Sequence, residues 1–146
     1  MSTAEMIRIK YHDKDLVRAE QKGYGDYIDL RAADDYKLEK DTLVMISLGV
    51  SMQLPKGYYA EVVPRSSSFK KWGILMANSV GIIDETYCGD NDIWRFPAWC
   101  THDGEIHKND RICQFRIVEK QPAIVFKEEE TLGNEDRGGF GSTGVK

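Results

Sequence analysis

One stretch, LVMISLGVSMQLPKG, restricts this chain more than any other. Val44, Ile46, Leu48, Val50, Met52 and Leu54 fall at strict period two, and Pro55, Lys56 and Gly57 close the run. Alternate residues of a strand point to opposite faces, whereas a helix face recurs every 3.6 residues. So long an alternation is extended chain with one buried face. Proline and glycine then supply a turn, and YYAEVVP resumes extended chain.

The same pattern recurs in shorter pieces. IRIKY, from Ile7 to Tyr11, alternates apolar and basic residues. RICQFRIVE puts Cys113, Phe115 and Ile117 on one face and Gln114 and Arg116 on the other, and PAIVF closes the series. Helical signal is confined to a turn around Asp15 to Glu20 and another at Ser68 to Trp72, where Phe69 and Trp72 lie three apart. Many short strands with few helices predict an all-β fold, an antiparallel barrel or jelly roll.

At 146 residues the chain suits one domain with a real core, expected over residues 1–126. Residues 127–146 read as a flexible arm. From Lys127 to Arg137 there are five acidic residues, two basic ones and only Leu132 as a sizeable apolar group. That is too little apolar surface to offset the entropy of ordering. The arm carries RGGFGSTG, whose glycines, Ser142 and Thr143 have the composition of a phosphate-cradling loop.

Charge narrows the partners. Twenty basic against 24 acidic residues give −4, which argues against a broad nucleic-acid surface but leaves room for a local anion pocket. MSTAEMIRIKYH has no apolar run of signal-peptide length, and no segment is apolar enough to span a bilayer. Cys88, Cys100 and Cys113 form no CxxC pair and lie in no motif that marks an activated thiol. Free thiols in a reducing cytoplasm are the simplest reading. Cys100, His102 and His107 lie close in sequence but match no common zinc spacing. A buried thiol with surface histidines fits them better.

Chemistry concentrates in four stretches. In VVPRSSSFKKWG, Arg65 offers a planar fork of donors, and Ser66, Ser67 and Ser68 add hydroxyls and N–H groups at the start of a short helix. That arrangement suits an anion, and it equally suits serines that only cap the helix. In NSVGIIDETYCGD, Gly81 and Gly89 bracket an apolar strand running into Asp84, with Tyr87 three residues on. An aspartate behind two isoleucines is expected to be half-buried, with a raised pKa and improved basicity. Capping by Asp84 and core packing by Tyr87 are the plainer alternatives. GDYIDLRAA places Asp29 at the entry of a strand, and NDRICQF projects Gln114 away from the apolar Cys113–Phe115 face.

Taken in order, these stretches resemble the homotrimeric dUTPase family, whose members carry five ordered motifs. YIDLRA matches the first, PRSS the second, GIIDETYCG the third, NDRICQ the fourth and RGGFGSTG the fifth, from about Tyr27 to Gly144. GNEDRGG and GDND bring the chain nearest to the form of Gram-positive bacteria and their phages. The resemblance implies a distorted β jelly roll, assembling as a homotrimer with active sites shared between subunits and a mobile C-terminal arm. It implies hydrolysis of dUTP to dUMP and pyrophosphate with Mg²⁺, with no nucleic-acid or membrane partner.

Residue roles follow from the same resemblance. Asp84 would orient and deprotonate the attacking water, and Tyr87 would lie against the deoxyribose. Asn78, Gly81 and Ile83 would present uracil with the donors and acceptors of a tight hairpin. Arg65, Ser66, Ser67 and Gln114 would hold phosphate oxygens, and Asp29 would meet Mg²⁺ through water. Phe140 would stack on the base, Gly141, Ser142 and Thr143 would close over the phosphates, and Arg137 would neutralise charge on them.

Three departures stand out. Arg137 lies three residues before Phe140 rather than five, Asn109 replaces the glycine that usually opens the fourth motif, and DNDIWRFPAW is unusually aromatic. Trp94, Phe96 or Trp99 is a rival to Phe140 for covering the base, although core packing is expected of Phe96 and Trp99. Two other functions compete. A dCTP deaminase of the same fold would need a glutamate after the third motif, and IWRFPAW has no carboxylate. A regulatory protein-binding role, as in some phage members, is compatible with the sequence.

Overall fold

The computed structural model describes residues 4–23, 25–139 and 141. Among these residues eleven strands run in the order β1 (Arg8–Tyr11), β2 (Ile28–Arg31), β3 (Tyr36–Leu38), β4 (Thr42–Ser47), β5 (Val50–Gln53), β6 (Tyr58–Pro64), β7 (Ile74–Met76), β8 (Gly81–Ile83), β9 (Arg95–Cys100), β10 (Gly104–Ile106) and β11 (Arg111–Glu119). One helix, α1 (Ser68–Trp72), interrupts them among the described residues. All strand pairs are antiparallel. They form sheets β2-β11-β6-β8 and β4-β9-β7 and the pairs β1-β5 and β10-β3. The result is a distorted jelly roll.

The long alternating run becomes β4 and β5 because the chain turns a corner at Gly49, whose φ is 66°. A Cβ there would meet Ala33 Cβ at 2.8 Å and Leu16 Cδ2 at 2.9 Å, so glycine is required by both conformation and space. The alternation survives the corner. Ile46, Leu48, Val50, Met52 and Leu54 are buried, whereas Leu43 and Met45 face outward. With Trp94, Phe96 and Phe115 they build the core, where Trp94 meets Phe115 edge-on at 5.3 Å between ring centroids. A register shift between Arg111 and Cys113 turns both Ile112 and Cys113 inward, which simple alternation does not anticipate.

Three expectations differ from the structure. PAIVF forms no strand: from Lys120 to Gly139 the chain has neither strand nor helix and is exposed throughout. Both edges of β11 are already paired, to β2 and β6, so this apolar run has no neighbouring edge to join as the chain leaves. Residues 15–20 form no helix: Lys14 and Asp15 make a turn, in which the Asp13 carboxylate accepts from the Asp15 N–H at 2.8 Å, and the chain beyond Leu16 is irregular. Trp99 is not core. Along β9 the buried positions are Phe96, Ala98 and Cys100, so Trp99 falls on the outer face beside Leu43 and Leu75.

Candidate active site

Three strands bring the candidate phosphate-binding residues together. Asp29 of β2 lies opposite Gln114 of β11, and Gln114 lies opposite Val63 of β6. Just beyond β6, Arg65 Nε meets Asp29 Oδ1 at 3.0 Å. Arg111 Nη1 approaches the other carboxylate oxygen at 3.5 Å, and Arg65 Nη1 also donates to the Arg111 carbonyl at 3.2 Å. Gln114 Nε2 donates to the Pro64 carbonyl at 3.1 Å. Sequence reasoning had not singled out Arg111; its only signal was its place inside NDRICQ.

The three serines divide their work. Ser68 is fully buried, and its hydroxyl donates to the Ile112 carbonyl at 2.7 Å while accepting from the Arg65 N–H at 3.0 Å. It pins the loop to β11 and so aims Arg65. Ser68→Ala would strand the buried Ile112 carbonyl and the part-buried Arg65 N–H, an expected loss of about 1–3 kcal/mol in a denaturant melt. Ser67 occupies the N-cap position of α1 without a side-chain capping bond. The hydroxyls of Ser66 and Ser67 have no protein partner among the described residues, so capping does not use them.

The glycine missing from the fourth motif is explained by Asn109. Its φ is 74°, a left-handed conformation that asparagine tolerates better than most residues. Its side chain accepts from the Val17 N–H at 2.8 Å and donates to the Asp15 carbonyl at 3.0 Å. The replacement keeps the turn and ties down a neighbouring segment.

The second part of the site is the connection between β7 and β8. The tight hairpin implied by the resemblance is not formed: β7 and β8 do not pair with each other, β7 being the edge of one sheet and β8 the edge of the other. Each edge therefore has backbone donors and acceptors that no ladder uses. Asn78 sits in the turn between them, where the Val80 N–H donates to its carbonyl at 2.6 Å and Ser79 has a φ of 64°. Packing is tight around Gly81, where a Cβ would lie 3.0 Å from Met76 Cε and 3.3 Å from Val62 Cβ. Ile83, half-buried, pairs with Ala60.

Asp84 follows β8 directly. Its Oδ1 accepts from both the N–H and the hydroxyl of Thr86, at 2.8 and 2.9 Å. The half-buried, raised-pKa aspartate expected from the sequence is not what the lone chain has. Asp84 is exposed, and the two Thr86 donors, aided by the Lys120 charge, hold its carboxyl below the usual range. The alternative of a turn-capping role is thus realised by one oxygen only. Tyr87 is partly exposed rather than core, and its hydroxyl donates to the Ile93 carbonyl at 3.1 Å. Trp94 and Phe96 are fully buried, which removes them as covers for a base.

These two parts are not together in one chain. The β8 ladder ends with Ile83 opposite Ala60, so Asp84 comes level with Tyr59, while Arg65 follows the far end of β6. At about 3.3 Å per residue, that separation is roughly 20 Å, beyond the reach of both side chains. Arg137 lies in the exposed extended segment, with its Nε donating only to the Gly138 carbonyl at 3.3 Å among the described residues. Gly141 is exposed with a φ of 85°. Phe140, Ser142 and Thr143 lie outside the described residues.

Comparison with known proteins gives the chain its family. The dUTPase family profile matches residues 17–144. The chain is 54% identical over 140 residues to an SPbeta prophage-derived deoxyuridine 5'-triphosphate nucleotidohydrolase of Bacillus subtilis, covering 96% of this chain and 99% of that protein. It is 32% identical over 143 residues to the deoxyuridine 5'-triphosphate nucleotidohydrolase of Corynebacterium diphtheriae, covering 96% and 93%. Among solved structures, a Staphylococcus bacteriophage 80alpha dUTPase mutant with dUpNHpp superposes with a TM-score of 0.78 at 21% identity, covering 97% of this chain and all of that one. A phage phi11 dUTPase mutant, described for its coordination of a structural Mg(II) ion, superposes at 0.73 with 16% identity, covering 87% and 98%. A family profile over most of the chain and 54% identity across 96% of it agree, and the chain belongs to the dUTPase family.

Proposed function

We infer that the chain is a dUTP pyrophosphatase, hydrolysing dUTP to dUMP and pyrophosphate with Mg²⁺, and that each active site is completed by further copies of the chain in a homotrimer. Beyond family membership, one observation supports the shared site: the set around Arg65 and the β7–β8 segment leading to Asp84 occupy opposite ends of β6. Docking one copy's β7–β8 segment against another's Arg65 would unite them. Exposed apolar surface supports such docking. Leu43, Trp99 and Leu75 form a cross-strand row on the outer face of β4-β9-β7, with Met45 and Pro97 beside it. Val125 and Phe126 beyond β11 are 92% and 93% exposed.

In that site the pyrimidine inserts between the free edges of β7 and β8, hydrogen-bonding to Asn78 and to the backbone around Gly81 and Ile83. Tyr87 faces the sugar. Arg65, Ser66, Ser67 and Gln114 hold the phosphates, with Arg111 beside them. The water oxygen bonds to the α-phosphorus, the bridge to the β-phosphate breaks, and the proton passes to Asp84 while pyrophosphate leaves. This step depends on positioning and charge neutralisation more than on covalent help.

The donor set suits Mg²⁺ held mainly by substrate and water. Among the described residues no three His, Cys, Asp or Glu side chains gather as a cage. Asp29, a partly exposed carboxylate between two guanidiniums, fits a water-mediated contact. Bound there, the ion would neutralise phosphate charge. No helix among the described residues is long and apolar enough to cross a membrane; a cytoplasmic enzyme of a bacterium, or of a phage host, is the setting inferred. β9 carries no carboxylate to serve a deaminase.

Pyrophosphate release across dUTP, dCTP, dTTP and UTP tests the reading. Turnover confined to dUTP is expected, and ammonia release from dCTP would overturn it. Tyr87→Ala should narrow the gap between dUTP and UTP, because the ring no longer bars the 2′-hydroxyl. Equal losses on both substrates would make the ring structural instead.

A further inference from the structure

The residue after Asp84 is also placed for a purpose. Glu85 Oε1 accepts from the Gly57 N–H at 3.0 Å and pairs with Lys120 Nζ at 3.1 Å. The Lys120 N–H in turn donates to the Gly57 carbonyl at 2.9 Å. Gly57 belongs to the turn entering β6, and its φ of 87° lets its N–H and carbonyl serve two partners at once. Lys120 directly follows β11. Because β6 pairs with β8 on one side and β11 on the other, a single carboxylate clasps the same end of three adjacent strands.

We propose that Glu85 and Lys120 form a positioning pair, which fixes the Asp84 loop against the root of the C-terminal segment and sets the charge beside the general base. This rests on the assignment of Asp84 as that base. Asp84 is anchored through Oδ1 to Thr86, and its loop is held to the body one residue later by Glu85. Lys120 is where the chain passes from β11 into the exposed segment bearing Arg137. The clasp therefore gives two distant parts of the site a common origin. Lys120 places a positive charge near Asp84, and Glu85 offsets it. Nearby, Tyr58 at the start of β6 faces Glu5 and Glu119, and Lys56 precedes Gly57.

Opposite electrostatic effects separate this role from simple support. Lys120→Met removes a cation that favours the Asp84 carboxylate, so the acid limb of kcat against pH should move to higher pH. Glu85→Gln leaves Lys120 uncompensated, so the limb should move to lower pH while the Gly57 N–H keeps an acceptor. Glu85→Ala should also lower kcat roughly tenfold, with KM within about threefold, because the loop loses its anchor. Lys120→Arg should restore the parental limb. The substitutions at 120 alter a side chain that is 42% exposed, and Gln is isosteric with Glu, so melting curves near the parent's are expected. Limbs that stay put, or move in the same direction, overturn the proposal even if the parent turns over dUTP. No dUTP turnover by the parent overturns the underlying function as well.

Discussion

Asp84→Asn is expected to lower kcat by about 10²–10⁴ while leaving nucleotide binding and fold in place. Asparagine matches aspartate in size, and its carbonyl oxygen can still accept from the N–H and hydroxyl of Thr86, the contacts that shape the loop. What disappears is the second oxygen's capacity to take a proton from water. In the lone chain the Asp84 carboxyl lies below its usual range, which would make a weak base. The triphosphate brings several negative charges beside it, and docking would take it out of bulk water. Both disfavour the ionised form and raise the pKa toward the working range. Substrate and partner would thus add to the tuning that Lys120 and Thr86 supply from the same chain. Turnover and dissociation constants measured with dUTP and a non-hydrolysable analogue check this. Near-normal turnover would place the base elsewhere.

That dependence explains why some of the site could be read from sequence and some could not. Asp29, Arg65 and Gln114 come together because β2 and β6 both pair with β11; local alternation makes those strands legible, though not their long-range pairing. The buried face from Ile46 to Leu54 was legible for the same reason. Arg111 was less so, because a register shift beside it changes which way consecutive residues point. The expected burial of Asp84 failed because adjacency to Ile82 and Ile83 says little about a loop, and Ile82 itself is 59% exposed. Trp99 and PAIVF misled in the same direction. Apolar residues imply something to pack on, yet sequence does not say whether that partner lies in the same chain.

A chain ending at Leu132 is expected to fold and to form the same oligomer, bind dUTP weakly, and lose most of its kcat. The body of the fold closes with β11 at Glu119, and no hydrogen bond among the described residues ties anything after Leu132 to it. Removing residues 133–146 should therefore leave the melting temperature unchanged. Pro122 to Phe126 remain, so the apolar run available to a neighbouring copy is kept. The deleted part carries Arg137 and the RGGFGSTG stretch, proposed as a lid that orders over the triphosphate. Its glycines let the backbone approach phosphate oxygens closely, and closure would expel water and strengthen each charged contact. Weak binding survives because the Arg65 set and the β7–β8 edges are untouched, while the neutralisation of charge by Arg137 is lost. A second truncation, after Lys120, separates lid from strap: it removes Ile124, Val125 and Phe126 and should weaken the oligomer as well. Sedimentation and steady-state turnover on both proteins decide the matter. Normal kcat in the shorter deletion would show that the glycine-rich end takes no part in the reaction, and loss of the oligomer there would make it a strap between copies.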